Sequence, residues 1–206
     1  MLVSHPVAKL ARIGFNPTTA VNCKTRMNVV PASQGHEMEK YFCKFMRYKD
    51  SAKMKVVIDA DDAALELKAV VVEHLKTRGV EVVDLNLLGK NPNAAYPEVG
   101  FNLAQKIKNR EFDRGILICG TGLGMAMIAN KVETVYAGVC HDTYSAERLR
   151  KSNDAQVLTM GARVVGPELA KSIVDAWLAS EFQGGGSAAK VETMHKLEKK
   201  SFHPEP

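Results

Sequence analysis

Apolar positions along this chain switch between two spacings. From residue 54 onward, short apolar runs alternate with segments whose apolar residues recur every three or four positions. The run 55-KVVIDA-60 fits a buried strand. Over 62–78, Leu65, Leu67, Val71, Val72 and Leu75 form a helical stripe that Gly79 stops. A strand follows at 80–85, then a loop over 86–97 rich in Gly, Asn and Pro. The spacing predicts a helix over 98–109, a strand at 115–119, a helix near 124–131 and a strand at 134–140. Further on come a helix at 143–151, a strand at 156–161 and a helix at 167–180 that opens on Pro167. The stretch 183-QGGGS-187 reads as a hinge before a last polar helix over about 188–200. Five short apolar runs alternating with helices imply a parallel sheet covered on both faces. The expected fold is α/β: a doubly wound (Rossmann-like), five-stranded parallel sheet in three αβα layers over 54–183. Residues 184–206 form a Gly-rich hinge and tail, expected to pack on a partner subunit.

Sheets of this kind place their sites beyond the carboxyl ends of the strands, near the topological switch. That directs attention to Asp59–Asp62, Tyr96, Cys119–Gly124, His141–Tyr144 and Gly161–Arg163.

Composition changes the picture little: 46% hydrophobic and 25% charged residues are ordinary for a globular chain of 206 residues. No apolar run approaches the ~18–20 residues of a membrane helix. Charge changes it more, because the net +5 is unevenly placed. Residues 1–53 hold nine Lys/Arg against three Asp/Glu, whereas the remainder holds 19 against 20. The basicity belongs to the amino-terminal segment, so a nucleic-acid role for the body loses its main support. Residues 1–36 contain no acid and include Lys9, Arg12, Lys24 and Arg26. We read 1–53 as a basic extension, disordered or lying upstream of the true start, since Met54 opens the regular pattern. Organellar targeting is the second reading and an ordered arm the third. The aromatic and basic 41-YFCKFMRYK-49 reads as a sticky helix. Cys23, Cys43, Cys119 and Cys140 have neither zinc nor disulfide spacing, which favours a reducing compartment, the cytoplasm.

The chemistry concentrates in 119-CGTGLG-124, between a strand and a helix. Glycine there lets a ligand approach the backbone, and free N–H groups at the helix start form an anion cradle. A phosphate suits it, and so does an oxyanion formed during reaction. The spacing matches neither GxGxxG nor a P-loop. Cys119 stands at the strand tip, where a helix start stabilises a thiolate suited to nucleophilic attack or proton abstraction. A small buried core thiol is the equal alternative. Cys140 reads as structural, His74 as solvent-facing, and His195 and His203 as parts of a polar tail.

The segments 114-RGILICGTGLGMAMIANKV-132, 140-CHDTYSAERLR-150, 153-NDAQVLTMGARVVG-166 and 171-KSIVDAWLASEFQGG-185 agree in order with one family. Over roughly Met54 to Lys200 the chain resembles the ribose-5-phosphate isomerase B / galactose-6-phosphate isomerase family. The resemblance implies a cofactor-free, metal-free aldose–ketose isomerase of a phosphorylated sugar acting through an enediolate. It implies that Cys119 is the base that takes the C2 proton. Gly120, Gly122 and Gly124, helped by Thr121, then hold the enediolate oxygen. Asp61 contacts the sugar hydroxyls, Tyr96 lies in a substrate loop, and Asn153 comes from the partner of a homodimer or dimer of dimers with shared sites. Neither nucleic acid nor membrane is an expected partner.

Three departures matter. The family's Asp-His pair is Asp61-Asp62 here. The histidine that helps the ribose enzymes open a furanose ring is Ser152. The phosphate-binding Arg-His…Arg set becomes Gly186, Ser187 and Lys190. A chain without the ring-opening acid still suits a sugar that cannot cyclise, such as a ketose 4-phosphate, and 152-SNDAQVLTMGARVVG-166 is similar to the tetrulose-phosphate branch. Lys190, Arg163 and Arg148 are the candidate phosphate cations. His141 is the candidate acid at the substrate oxygen, with a partner role toward Asp142 or nearby backbone as the equal alternative. Ribose 5-phosphate and a 6-phosphate ketohexose remain competing substrates. A non-catalytic sugar-phosphate binder and one subunit of a two-chain isomerase are the competing functions.

Overall fold

The computed structural model describes residues 54–204. The readings of residues 1–53 therefore lie outside the described residues.

Five strands form one parallel sheet: β1 (Lys55–Ala60), β2 (Glu81–Asp84), β3 (Arg114–Cys119), β4 (Ala137–Val139) and β5 (Val157–Gly161), in the order β2-β1-β3-β5-β4. Seven α-helices lie among the described residues. They are α1 (Leu65–Thr77), α2 (Leu87–Lys90), α3 (Tyr96–Lys108), α4 (Leu123–Ala129), α5 (Thr143–Lys151), α6 (Pro167–Leu178) and α7 (Ala188–Phe202).

Alternation along the strands divides the core in two. Val56, Ile58, Ile116, Ile118, Leu158 and Met160 point to one side and pack with Leu75, Ala146, Ile173 and Trp177 of α1, α5 and α6. Val57, Leu117, Cys119 and Val157 point to the other and pack with Val99, Leu103, Met125 and Ala129 of α3 and α4. Both faces of β1, β3 and β5 are thus covered, which is why those runs are apolar throughout rather than alternating. Each fully buried Leu or Ile side chain adds about 1.5–3 kcal/mol of transfer free energy. The helices after the adjacent strands β1 and β3 cover opposite faces. That reversal is the topological switch at which sheets of this kind place their sites, and Cys119 ends β3 there.

Differences from the sequence reading have local causes. The 86–97 loop contains α2, and α3 begins at Tyr96, because the Glu98 carboxylate accepts the Ala95 N–H at 2.8 Å and closes the first turn. The strand expected at 134–140 shrinks to Ala137–Val139, because Thr134 adopts φ +68° and Val135 N–H closes a turn on Val132 O. His74 is not solvent-facing: only 10% of its side chain is exposed, and Nε2 lies 2.8 Å from Asp175 Oδ1, linking α1 to α6. His195 and His203 are anchored as well. The His195 ring stacks on Tyr136 at 5.3 Å, and His203 Nε2 lies 2.8 Å from Glu133 Oε1. The Glu198 carboxylate accepts the Thr134 N–H and the Tyr136 O–H, so polar contacts hold α7, which buries only Val191.

The amino end of the sheet is held by Arg114, buried under Trp177, with its guanidinium centre 5.3 Å from the ring centroid. It donates to the carbonyls of Trp177 and Ser180 at 2.8 and 2.7 Å and to the Glu181 carboxylate at 2.6 Å, closing the end of α6.

Candidate functional site

Cys119 is the last residue of β3, 6% exposed, and its Sγ accepts the Gly122 N–H at 3.0 Å. The sulfur thereby points into the loop that follows it. Gly122 takes φ +79° as it enters α4, and a Cβ on it would lie 2.9 Å from the Met160 carbonyl carbon. Both facts require glycine. Thr159 Oγ1 donates to Gly122 O at 3.0 Å from beneath. Thr159 reads in the sequence as a β-branched strand residue, so nothing marked it as the support of this loop.

Neighbouring strand ends close on the loop. Asp61 N–H donates to Ile118 O at 3.2 Å, Ala162 N–H to Cys119 O at 2.8 Å, and Arg163 N–H to Gly120 O at 3.1 Å. The Arg163 guanidinium lies over Gly120, where an added Cβ would meet its Cζ and Nε at 3.4 Å. It also acts on the Asp61 carboxyl, whose pKa is raised by burial and by the adjacent Asp62 and drawn down by the Ala63 N–H and Arg163. The Tyr96 ring, at the start of α3, covers Gly124 so closely that a Cβ there would fall 2.4 Å from Cε2. Asp62 and Thr121 are exposed beside this cluster. Cys119, Gly120, Thr121, Gly122, Gly124, Asp61, Asp62, Tyr96 and Arg163 therefore come together within one chain.

His141 follows β4, and its Nε2 accepts the Gly161 N–H at 3.1 Å. That bond to the neighbouring backbone occupies Nε2 and leaves Nδ1 as the nitrogen for any further partner. Asp142 caps α5 instead, accepting Ser145 N–H and Oγ–H at 2.7 and 2.6 Å. Asp59 is buried inside β1: it accepts the N–H groups of Ala60 and Leu87, and the buried Lys68 lies 3.6 Å away. Burial of Cys140 pushes its thiol up to about 12, which suits the structural reading.

Two expected substrate residues stand elsewhere. Asn153 is exposed on the turn before β5, at the amino end of the sheet. The length of β5, about 13 Å at ~3.3 Å per residue, separates that level from Cys119. Lys190 lines a groove of about 520 Å³ with Val135, Tyr136 and Leu197, also before a strand. A second groove, of about 500 Å³, runs along α1 at His74. Neither groove is lined by Cys119. Among the described residues no three His, Cys, Asp or Glu side chains are grouped to hold a metal ion, and no helix is long and apolar enough to cross a membrane.

Comparison with known proteins finds relatives of the whole described region. The profile of the Ribose/Galactose Isomerase family matches residues 56–194. D-erythrulose-4-phosphate isomerase of Pectobacterium atrosepticum is 50% identical over 150 residues, 73% of this chain and 99% of that protein. Ribose-5-P isomerase B of Listeria innocua is 47% identical over 148 residues, 72% of this chain and 99% of that protein. The structure of Clostridium thermocellum ribose-5-phosphate isomerase B superposes with a TM-score of 0.68 at 45% identity, covering 72% of this chain and 99% of that one.

Proposed function

This chain belongs to the ribose/galactose isomerase family, and on that premise we propose that Cys119 is the base with which it interconverts an aldose and a ketose phosphate. It is a sugar-phosphate aldose–ketose isomerase. The carrying observation is the sulfur at the end of β3, hydrogen-bonded to Gly122 N–H at the opening of a glycine loop. The thiolate takes the C2 proton of the open-chain aldose. The C2–H electron pair becomes the C1=C2 bond, and the carbonyl pair moves onto O1. N–H groups of the 120–124 backbone and the Thr121 hydroxyl hold that oxyanion. The thiol then returns its proton to C1 while the hydroxyl proton of O2 passes to O1, leaving the ketone at C2. His141, through Nδ1, carries the proton between the two oxygens. Asp61, Asp62 and Tyr96 position the hydroxyls, and Arg163 faces the anionic end of the substrate.

The reading extends to a homodimer with shared sites in which a second copy supplies Asn153; its place at the other end of the sheet from its own Cys119 supports that. Lys190 on α7 reaches the phosphate by the same route. The free thiols of Cys119 and Cys140 suit the cytoplasm.

A four-carbon phosphate is the favoured substrate, because Ser152 replaces the imidazole that a furanose needs and a ketose 4-phosphate has no ring to open. The test is an isomerisation panel of four-, five- and six-carbon phosphates, run beside Cys119→Ala. The expected result is fastest turnover of the four-carbon pair and none with the variant. Ribose 5-phosphate turning over faster than every four-carbon substrate contradicts the substrate assignment.

A further inference from the structure

The end of α5 holds a cation that the chemistry above leaves unused. Arg148 donates through Nε to Ser152 Oγ at 2.9 Å, and its Nη2 donates to the same oxygen. Two N–H groups on one hydroxyl oxygen fix the guanidinium plane. Its carboxylate neighbour, Glu147, is 3.7 Å from Nη1 and closer to Lys151 Nζ, at 3.1 Å. Arg148 therefore keeps N–H donors for another partner, and its side chain is 36% exposed.

Position 152 directly precedes Asn153, the residue assigned above to the second copy's site. A histidine there exchanges a proton near neutral pH, which is what opening a sugar ring demands. A Ser–Arg pair does not. A guanidinium has N–H donors and no acceptor, and the serine oxygen is already occupied by those N–H groups. The pair is a permanent hydrogen-bond donor and no proton carrier. Permanent donors in a fixed fork suit a phosphate or carboxylate oxygen.

Charge elsewhere changes in the complementary sense. The carboxyl-terminal segment carries no cation at Gly186 and Ser187, and an added Cβ on Gly186 would meet nothing within 4 Å. Positive charge is thus missing at the hinge and present beside Asn153. A four-carbon substrate is one carbon shorter than a pentose, so its phosphate lies nearer the reacting carbons.

Resting on the assignment of Asn153 to the second copy's site, we propose that Arg148, fixed on the Ser152 hydroxyl, is a specificity-determining cation that binds the phosphate of an open-chain four-carbon substrate in that site. Ser152 acts as a positioning residue for it.

The test uses the full chain with a tetrulose 4-phosphate as substrate and inorganic phosphate as competitive inhibitor. Arg148→Gln is expected to raise KM, and the phosphate inhibition constant with it, by about 10- to 100-fold, the scale of a lost charge-assisted contact. The kcat and the thermal midpoint stay near wild type, and Arg148→Lys restores part of the affinity. A heterodimer of one Cys119→Ala chain and one Arg148→Gln chain, isolated through two tags, contains one intact site. It is expected to show wild-type KM at about half the wild-type kcat per dimer. Unchanged KM and phosphate inhibition in Arg148→Gln overturn the proposal, as does a heterodimer that keeps the raised KM. These outcomes leave the base assignment standing when Cys119→Ala alone is inactive. An active Cys119→Ala chain overturns that assignment instead.

Discussion

Gly161→Ala isolates the support of the reactive loop from the chemistry itself. Gly161 ends β5 in register with Cys119, and an added Cβ would lie 2.7 Å from both Cα and the carbonyl carbon of Thr121 and 2.9 Å from Gly120 O. Ordinary contacts begin near 3.4 Å, so the methyl demands about 0.7 Å of retreat. The obstructing atoms are backbone, and the parallel pairing of β3 with β5 ties both strand ends in place. Overpacking of this kind costs about 1–3 kcal/mol. The retreat falls on Gly120 and Thr121, whose N–H and hydroxyl groups are proposed above to hold the oxyanion. A displacement approaching 1 Å there is expected to lower kcat about 10- to 100-fold. Gly166→Ala is the control, since its Cβ meets nothing within 4 Å. Its activity is expected to match wild type, with stability changed by no more than about 1 kcal/mol. Steady-state isomerisation and urea unfolding of both variants measure the two effects. Wild-type kcat and stability in Gly161→Ala refute the reasoning.

Other perturbations separate further parts of the structure. Gly124→Ala meets the Tyr96 ring at 2.4 Å, but that side chain is exposed and free to swing; urea unfolding is expected to stay within about 1 kcal/mol of wild type while KM rises. Arg114→Met leaves the carbonyls of Trp177 and Ser180 and the Glu181 carboxylate without their donor, and a loss of about 3–5 kcal/mol is expected in denaturant unfolding. Burial raises the Asp59 carboxyl above its ordinary 3.8, against the opposing Ala60 and Leu87 N–H groups and Lys68. The folded state then binds more protons than the unfolded one between those two values, so this group's contribution to stability falls as pH rises through that window. Asp59→Asn is expected to remove that part of the slope in urea midpoints taken from pH 3.5 to 7, and an unchanged slope contradicts the assignment.

The layers of the fold were legible because β1, β3 and β5 are apolar on both faces and the helices keep their stripes. Strand β4 was overread because a left-handed Thr134 leaves no mark in hydrophobic spacing. His74 was misread for a similar reason: its partner Asp175 lies on α6, 101 residues away in sequence. In the site, Cys119, the glycines, Asp61, Tyr96 and Arg163 converge because each follows a strand or opens a helix at the carboxyl edge. Thr159 escaped notice because a threonine inside a strand looks like any other β-branched residue. The Arg148–Ser152 contact was hidden because helical spacing of four shows which side chains face each other but not which ones bond.

The claim that the sulfur of Cys119 removes the C2 proton is tested most directly by solvent deuterium. In D₂O the wild-type chain is expected to exchange deuterium into C1 or C2 of its sugar phosphate during turnover, and Cys119→Ala, folded to the same unfolding midpoint, is expected to exchange none. Exchange at the wild-type rate in Cys119→Ala contradicts the account.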